Sequence, residues 1–83
     1  SGQDCAAPKP APDVYLKAAS DAGVDPADCV VIEDSANGAR AGLAAKMYTF
    51  GFTHDTNPDA LAPYCDALFD DMAKLPKLLG LDL

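Results

Sequence analysis

The sequence predicts an α/β protein with a short parallel sheet of about three strands flanked by helices. Two observations carry this. Three short apolar runs, Cys29–Ile32, Met47–Phe50 and Ala67–Phe69, have the length of strands. Between them lie stretches whose small and apolar residues recur at helical spacing, so strand and helix alternate, as parallel pairing with right-handed crossovers requires.

The elements follow in order. Pro10-Ala11-Pro12-Asp13 forms an extended lead-in, because a residue before proline avoids the helical region. Pro12 suits the first turn of a helix, and Asp13 places negative charge at its N-terminus. Tyr15, Ala18, Ala19 and Ala22 share one helical face, and Gly23 ends the helix. Asp25–Asp28 is a turn. Cys29–Ile32 is β-branched and continuous, the pattern of a strand buried on both faces. Ser35 or Asn37 caps a second helix, at about 37–45, with Gly38, Ala41, Gly42 and Ala45 on one bare face. Met47–Phe50 is the next strand, closed by Gly51. Asn57-Pro58 opens a short helix to about Tyr64. Ala67–Phe69 is the third strand. After Asp70-Asp71, Leu75, Leu78, Leu79 and Leu81 are expected to pack, with Pro76 dividing a turn from a terminal helical piece.

The 83 residues make one small domain, 49% apolar and 23% charged. A net charge of −7 argues against a nucleic-acid or anionic-membrane partner met through a broad basic surface, since the six cations, Lys9, Lys17, Arg40, Lys46, Lys74 and Lys77, are scattered. No apolar run reaches the roughly 18 residues of a membrane helix. Cys5, Cys29 and Cys65 fit neither a disulfide framework nor a zinc pattern and read as buried, reduced thiols of a cytoplasmic protein.

Chemistry concentrates where the first strand ends. Ligands of parallel α/β sheets bind beyond the carboxyl ends of the strands, and Glu33-Asp34 stands there. Two adjacent carboxylates fit either a solvated turn before the next helix or a site for a hard divalent cation, Mg²⁺ first, with Asp34 the better direct ligand. Ser35-Ala36-Asn37-Gly38 leads into the helix N-terminus and either caps it or supports the carboxylates. Lys9, held among Pro8, Pro10 and Pro12, is either a surface lysine or a fixed ammonium for a phosphoryl oxygen. His54 reads as a surface loop histidine and Arg40 as a solvent-facing or ion-paired helix residue.

Lys9-Pro10-Ala11-Pro12-Asp13, followed 24 residues after Lys9 by Glu33-Asp34-Ser35-Ala36-Asn37-Gly38, resembles the haloacid dehalogenase (HAD) superfamily, in the branch of β-phosphoglucomutase and sugar-phosphate phosphatases. The resemblance runs from about Ser1 to Leu79 and implies a partial Rossmann-like, three-layer fold. It implies that Lys9 contacts the phosphoryl group, that Asp34 and Glu33 hold Mg²⁺, and that Ser35 and Asn37 support them. The implied parent reaction is hydrolysis of a small phosphorylated metabolite, or its phosphomutase counterpart, through an aspartyl-phosphate. The family's Asp-x-Asp nucleophile motif does not occur in this sequence. Residues 1–83 thus resemble the C-terminal part of such a core domain, without nucleophile strand or cap, with Ser1–Asp4 similar to the stretch before the lysine loop. The expectation is a segment inactive by itself, or a non-catalytic phosphate- or metal-binding module. Its first strand would be left as an apolar edge that pairs with another copy or with the N-terminal segment the family carries.

Overall fold

The computed structural model describes residues 7–81, so Cys5 and the Ser1–Asp4 stretch lie outside the described residues. The chain forms β1 (Val30–Glu33), β2 (Tyr48–Phe52) and β3 (Ala67–Phe69), with helices α1 (Asp13–Ala22), α2 (Ala36–Ala44), α3 (Pro58–Leu61) and α4 (Leu75–Leu78). The strands pair in parallel in the order β1-β2-β3. Val31 lies opposite Thr49, Glu33 opposite Gly51, and Phe52 opposite Phe69.

Local chemistry explains the element ends. Gly23 closes α1 in the left-handed region at φ 71°, where only a residue without Cβ sits at ease, and its N–H and that of Val24 return to the last turn. Ser35, not Asn37, caps α2, its Oγ accepting from the Gly38 N–H at 3.0 Å. Asn57 caps α3 through Asp59 N–H at 2.9 Å, with Pro58 in the first turn.

The larger core cluster lies on one face of the sheet, while Phe50 and Phe69, each 5% exposed, are buried edge to face on the other. Ala19 of α1, Ala45 just after α2, Val31 of β1 and Met47 form a buried cluster, with Tyr15 and Cys29 packed against it. The small-residue face of α2 is what brings that helix so close. A Cβ at Gly42 would collide with Thr49 Oγ1 and come within 3.3 Å of Val31 Cγ1. Leu61 of α3 is fully buried on the same side, over Gly51.

Four expectations need correction. The first strand is not buried on both faces: Val31 is covered, whereas Val30 and Ile32 are 47% and 40% exposed. The alternation follows from β1 being the edge of the described sheet, covered by α1 and α2 on one side only. Gly51 does not close the second strand but pairs within it, with Glu33 on one side and Leu68 on the other; Cys65 Sγ and Leu61 Cβ stand 2.8 and 3.3 Å from where a Cβ would be, so glycine fits the packed face. Cys29 and Cys65 are half-buried rather than buried, whereas the 3₁₀ turn Met72–Lys74 followed by α4, with Pro76 in its first turn where its missing N–H costs nothing, matches the turn and terminal helical piece expected there. Of the closing leucines only Leu75 is half-buried, while Leu78, Leu79 and Leu81 are exposed because a one-turn helix offers little surface to the sheet.

Candidate functional site

The site lies past the C-terminal end of β1. The chain there passes from strand to helix within two residues, so Glu33 ends the strand and Asp34 and Ser35 form the turn. Glu33 points back into the protein, and its side chain is only 14% exposed. Every donor around it converges on the carboxylate. Oε2 accepts from Lys9 Nζ at 3.0 Å and from the Tyr15 hydroxyl at 2.7 Å. Oε1 accepts from the Asp34 backbone N–H at 3.1 Å and from Ser35 Oγ at 3.3 Å.

Burial alone would push the Glu33 carboxyl up. The hydrogen bonds from Tyr15, Lys9 and the Asp34 backbone outweigh it and hold the carboxyl down at about 2. The Glu33 hydrogen bond in turn raises the Lys9 ammonium above its usual value. Burial and Glu33 both raise the Tyr15 phenol, which stays a protonated donor at neutral pH.

The lysine loop is tied to its helix as well as to Glu33. Asp13 Oδ2, in the first turn of α1, accepts from Ala7 N–H at 3.2 Å, and Ala11 N–H donates to Pro8 O at 3.0 Å. On the other side of the turn, Thr56 in the loop after β2 donates its hydroxyl to the Asp34 carbonyl at 2.7 Å. Gly38 lets the Glu33 side chain lie against the start of α2, because a Cβ there would collide with it and force it to move.

The structure therefore brings Lys9, Glu33 and Ser35 together as the sequence placed them, and carries Asp34 on the same turn. It does not bring in Asn37, which is exposed on the first turn of α2. Tyr15 and Thr56 are the members that sequence reasoning missed. Tyr15 counted only as a core-facing residue of its helix; the one available signal was a hydroxyl on a face otherwise made of alanines. Thr56 gave no signal. His54 stays at the surface, stacked on Phe52 with ring centroids 5.8 Å apart, and Arg40 is solvent-facing beside the Tyr64 ring.

The two carboxylates differ in what they have left to give. Each Glu33 oxygen already accepts twice, so the group acts as a hub for its neighbours. Asp34 is exposed, and its carboxylate meets no hydrogen-bond donor or cation among the described residues, which leaves it open to a hard cation. Among the described residues no group of three or more His, Cys, Asp or Glu side chains converges as a metal cage. Mg²⁺ is commonly held by one or two carboxylates together with water and phosphate oxygens, so Asp34 fits as one ligand of a shared set.

A lysine loop and an acidic turn joined at the end of a parallel strand invite comparison with known proteins. The haloacid dehalogenase-like hydrolase family signature matches residues 1–46, over half of the chain. The chain belongs to the haloacid dehalogenase-like hydrolases. Among relatives in this family, it is 56% identical over 39 residues to hexitol phosphatase B of Escherichia coli (strain K12), covering 47% of this chain and 18% of that protein. A HAD family hydrolase of Deinococcus radiodurans R1, solved with bound phosphate and sodium, superposes with a TM-score of 0.81 at 36% identity. That match covers 87% of this chain and 34% of that one. A β-phosphoglucomutase homologue of Bacteroides vulgatus superposes with a TM-score of 0.78 at 31% identity, covering 87% of this chain and 30% of the other. The chain thus spans about a third or less of the length of these HAD proteins. Their likeness to it includes both phosphatases and mutases.

Proposed function

We propose that this chain carries the phosphate-contacting lysine and part of the Mg²⁺ site of a HAD-like phosphohydrolase acting on a small phosphorylated metabolite. The observation that carries the reading is the 3.0 Å contact between Lys9 Nζ and Glu33 Oε2, formed across 24 residues beside an Asp34 carboxylate that no described residue engages. Lys9 retains two N–H donors for phosphoryl oxygens once one is given to Glu33. Asp34 supplies a ligand to Mg²⁺, and Glu33 holds lysine and turn in place. Bound Mg²⁺ would neutralise charge on the transferring phosphoryl group. Ser35 supports the arrangement through Glu33 Oε1 and the α2 cap.

Transfer through an aspartyl-phosphate needs a nucleophile in an Asp-x-Asp setting, and this sequence has none. We therefore assign the chain a binding share of the reaction and no turnover by itself. The phosphomutase alternative shares every group named here, because hydrolysis and transfer differ in the acceptor that reaches the phosphoryl group. The reading places the protein in the cytoplasm, where the unpaired Cys29 and Cys65 stay reduced. Among the described residues no helix is long and apolar enough to cross a membrane.

The test is a Mg²⁺ titration followed by NMR on the wild-type chain and on Asp34→Asn, with p-nitrophenyl phosphate turnover measured alongside. Shifts centred on Asp34 that vanish in Asp34→Asn support the reading, and an unresponsive Asp34 overturns it. Mg²⁺-dependent turnover that Asp34→Asn abolishes would overturn the assignment of a binding share alone.

A further inference from the structure

Tyr15 belongs to the face of α1 that packs on the core, yet its hydroxyl is engaged by the site. It donates to Glu33 Oε2 at 2.7 Å, and Lys9 Nζ donates to that same oxygen at 3.0 Å. The Lys9 ammonium also stands 5.0 Å from the centroid of the Tyr15 ring, within cation–π range. We propose that Tyr15 is the positioning residue of this site: its hydroxyl fixes Glu33 Oε2, and that oxygen and the aromatic ring together fix where the Lys9 ammonium stands.

The chemistry favours a tyrosine over either of its parts. A lysine head is a compact charge on a flexible stem, and at 39% exposure Lys9 has little packing to confine it. The carboxylate restrains it from one direction and the ring from another. A neutral hydroxyl steadies Glu33 without adding a second cation that would compete with Lys9 for Oε2. Phenylalanine would keep the ring and lose the carboxylate anchor; a smaller polar residue would lose the ring. The inference rests on the phosphoryl-site reading for its functional meaning, while the contact itself is independent of that reading.

Glu33 is the only glutamate in the chain, so labelling glutamate with ¹³C at Cδ gives a single carboxylate resonance beside the amide of Gln3. At fixed neutral pH, Tyr15→Phe is expected to move that resonance and to lower the Lys9 Cε order parameter. The methyl resonances of Ala19, Val31 and Met47 are expected to hold their positions, because phenylalanine keeps the ring on the core; a Tyr15 that only packs would leave the Glu33 resonance and the Lys9 order parameter unchanged as well. An unchanged Lys9 order parameter in folded Tyr15→Phe overturns the proposal. Should that variant not fold, the wild type decides: cross-relaxation between the Lys9 ε-protons and the Tyr15 ring supports the proposal, and its absence overturns it. Mg²⁺ binding at Asp34 is read separately. Failure there with the Lys9–Tyr15 coupling intact strikes only the functional reading, and the converse strikes only the role of Tyr15.

Discussion

Glu33 is the residue on which the site turns, and its ionisation links the site to stability. Its carboxyl falls from an ordinary 4.5 to about 2 in the folded chain. A depressed folded value means that the stabilisation is complete above about 4.5 and is lost as pH falls toward 2. The full difference corresponds to a ceiling of about 3 kcal/mol. Lys9 is 39% exposed, so solvent screening brings the working figure nearer ~1–2 kcal/mol. The raised Lys9 ammonium reports the same contact and adds nothing further. Urea unfolding of wild type and Glu33→Gln at pH 6 and pH 3 checks this. The wild type should lose more stability than the variant between the two values; equal losses would remove Glu33 from the acid response.

Among the elements, β1 is the one with unfinished pairing. It bonds to β2 on one side, and its other side has no strand among the described residues. Val30, Ile32 and Tyr48, each at least 40% exposed, line the β1 end of the face away from α2, beside the buried Phe50. A groove of about 290 Å³ between α1 and this edge is lined by Ala18, Ala22, Val24 and Val30. An open, apolar edge is a template for a further strand. We propose that it pairs with a second copy of the chain or with a segment of the longer HAD relatives that this chain does not include. The first arm is checked by sedimentation at rising concentration. Association that Ile32→Lys reduces is the expected result, because a charge at the edge opposes strand addition. A monomer at every concentration would leave only the second arm.

Across the whole molecule, most elements were legible because each carries a local signal. Gly23 marks the end of α1, Asn57-Pro58 the start of α3, and the three apolar runs the strands in their pairing order. What escaped depends on contacts distant in sequence. Gly51 reads as a strand end, but pairing with Glu33 and Leu68 on either side makes it a strand interior. Val30 and Ile32 read as core, but burial on a second face needs a covering layer that no local pattern encodes. Within the site, Lys9 and Glu33-Asp34 were legible as a pair of motifs. The Tyr15 hydroxyl and the Thr56 tie were not, because each reaches its partner only once the parallel sheet has formed. The central claim is that the lysine loop and the acidic turn make one charge cluster. Its most direct measurement is the pH titration of the lone Glu33 Cδ resonance in wild type and in Lys9→Met. The account predicts a wild-type midpoint of about 2 that moves up toward 4.5 when the ammonium is removed. A wild-type midpoint already near 4.5, or one that Lys9→Met leaves in place, would contradict it.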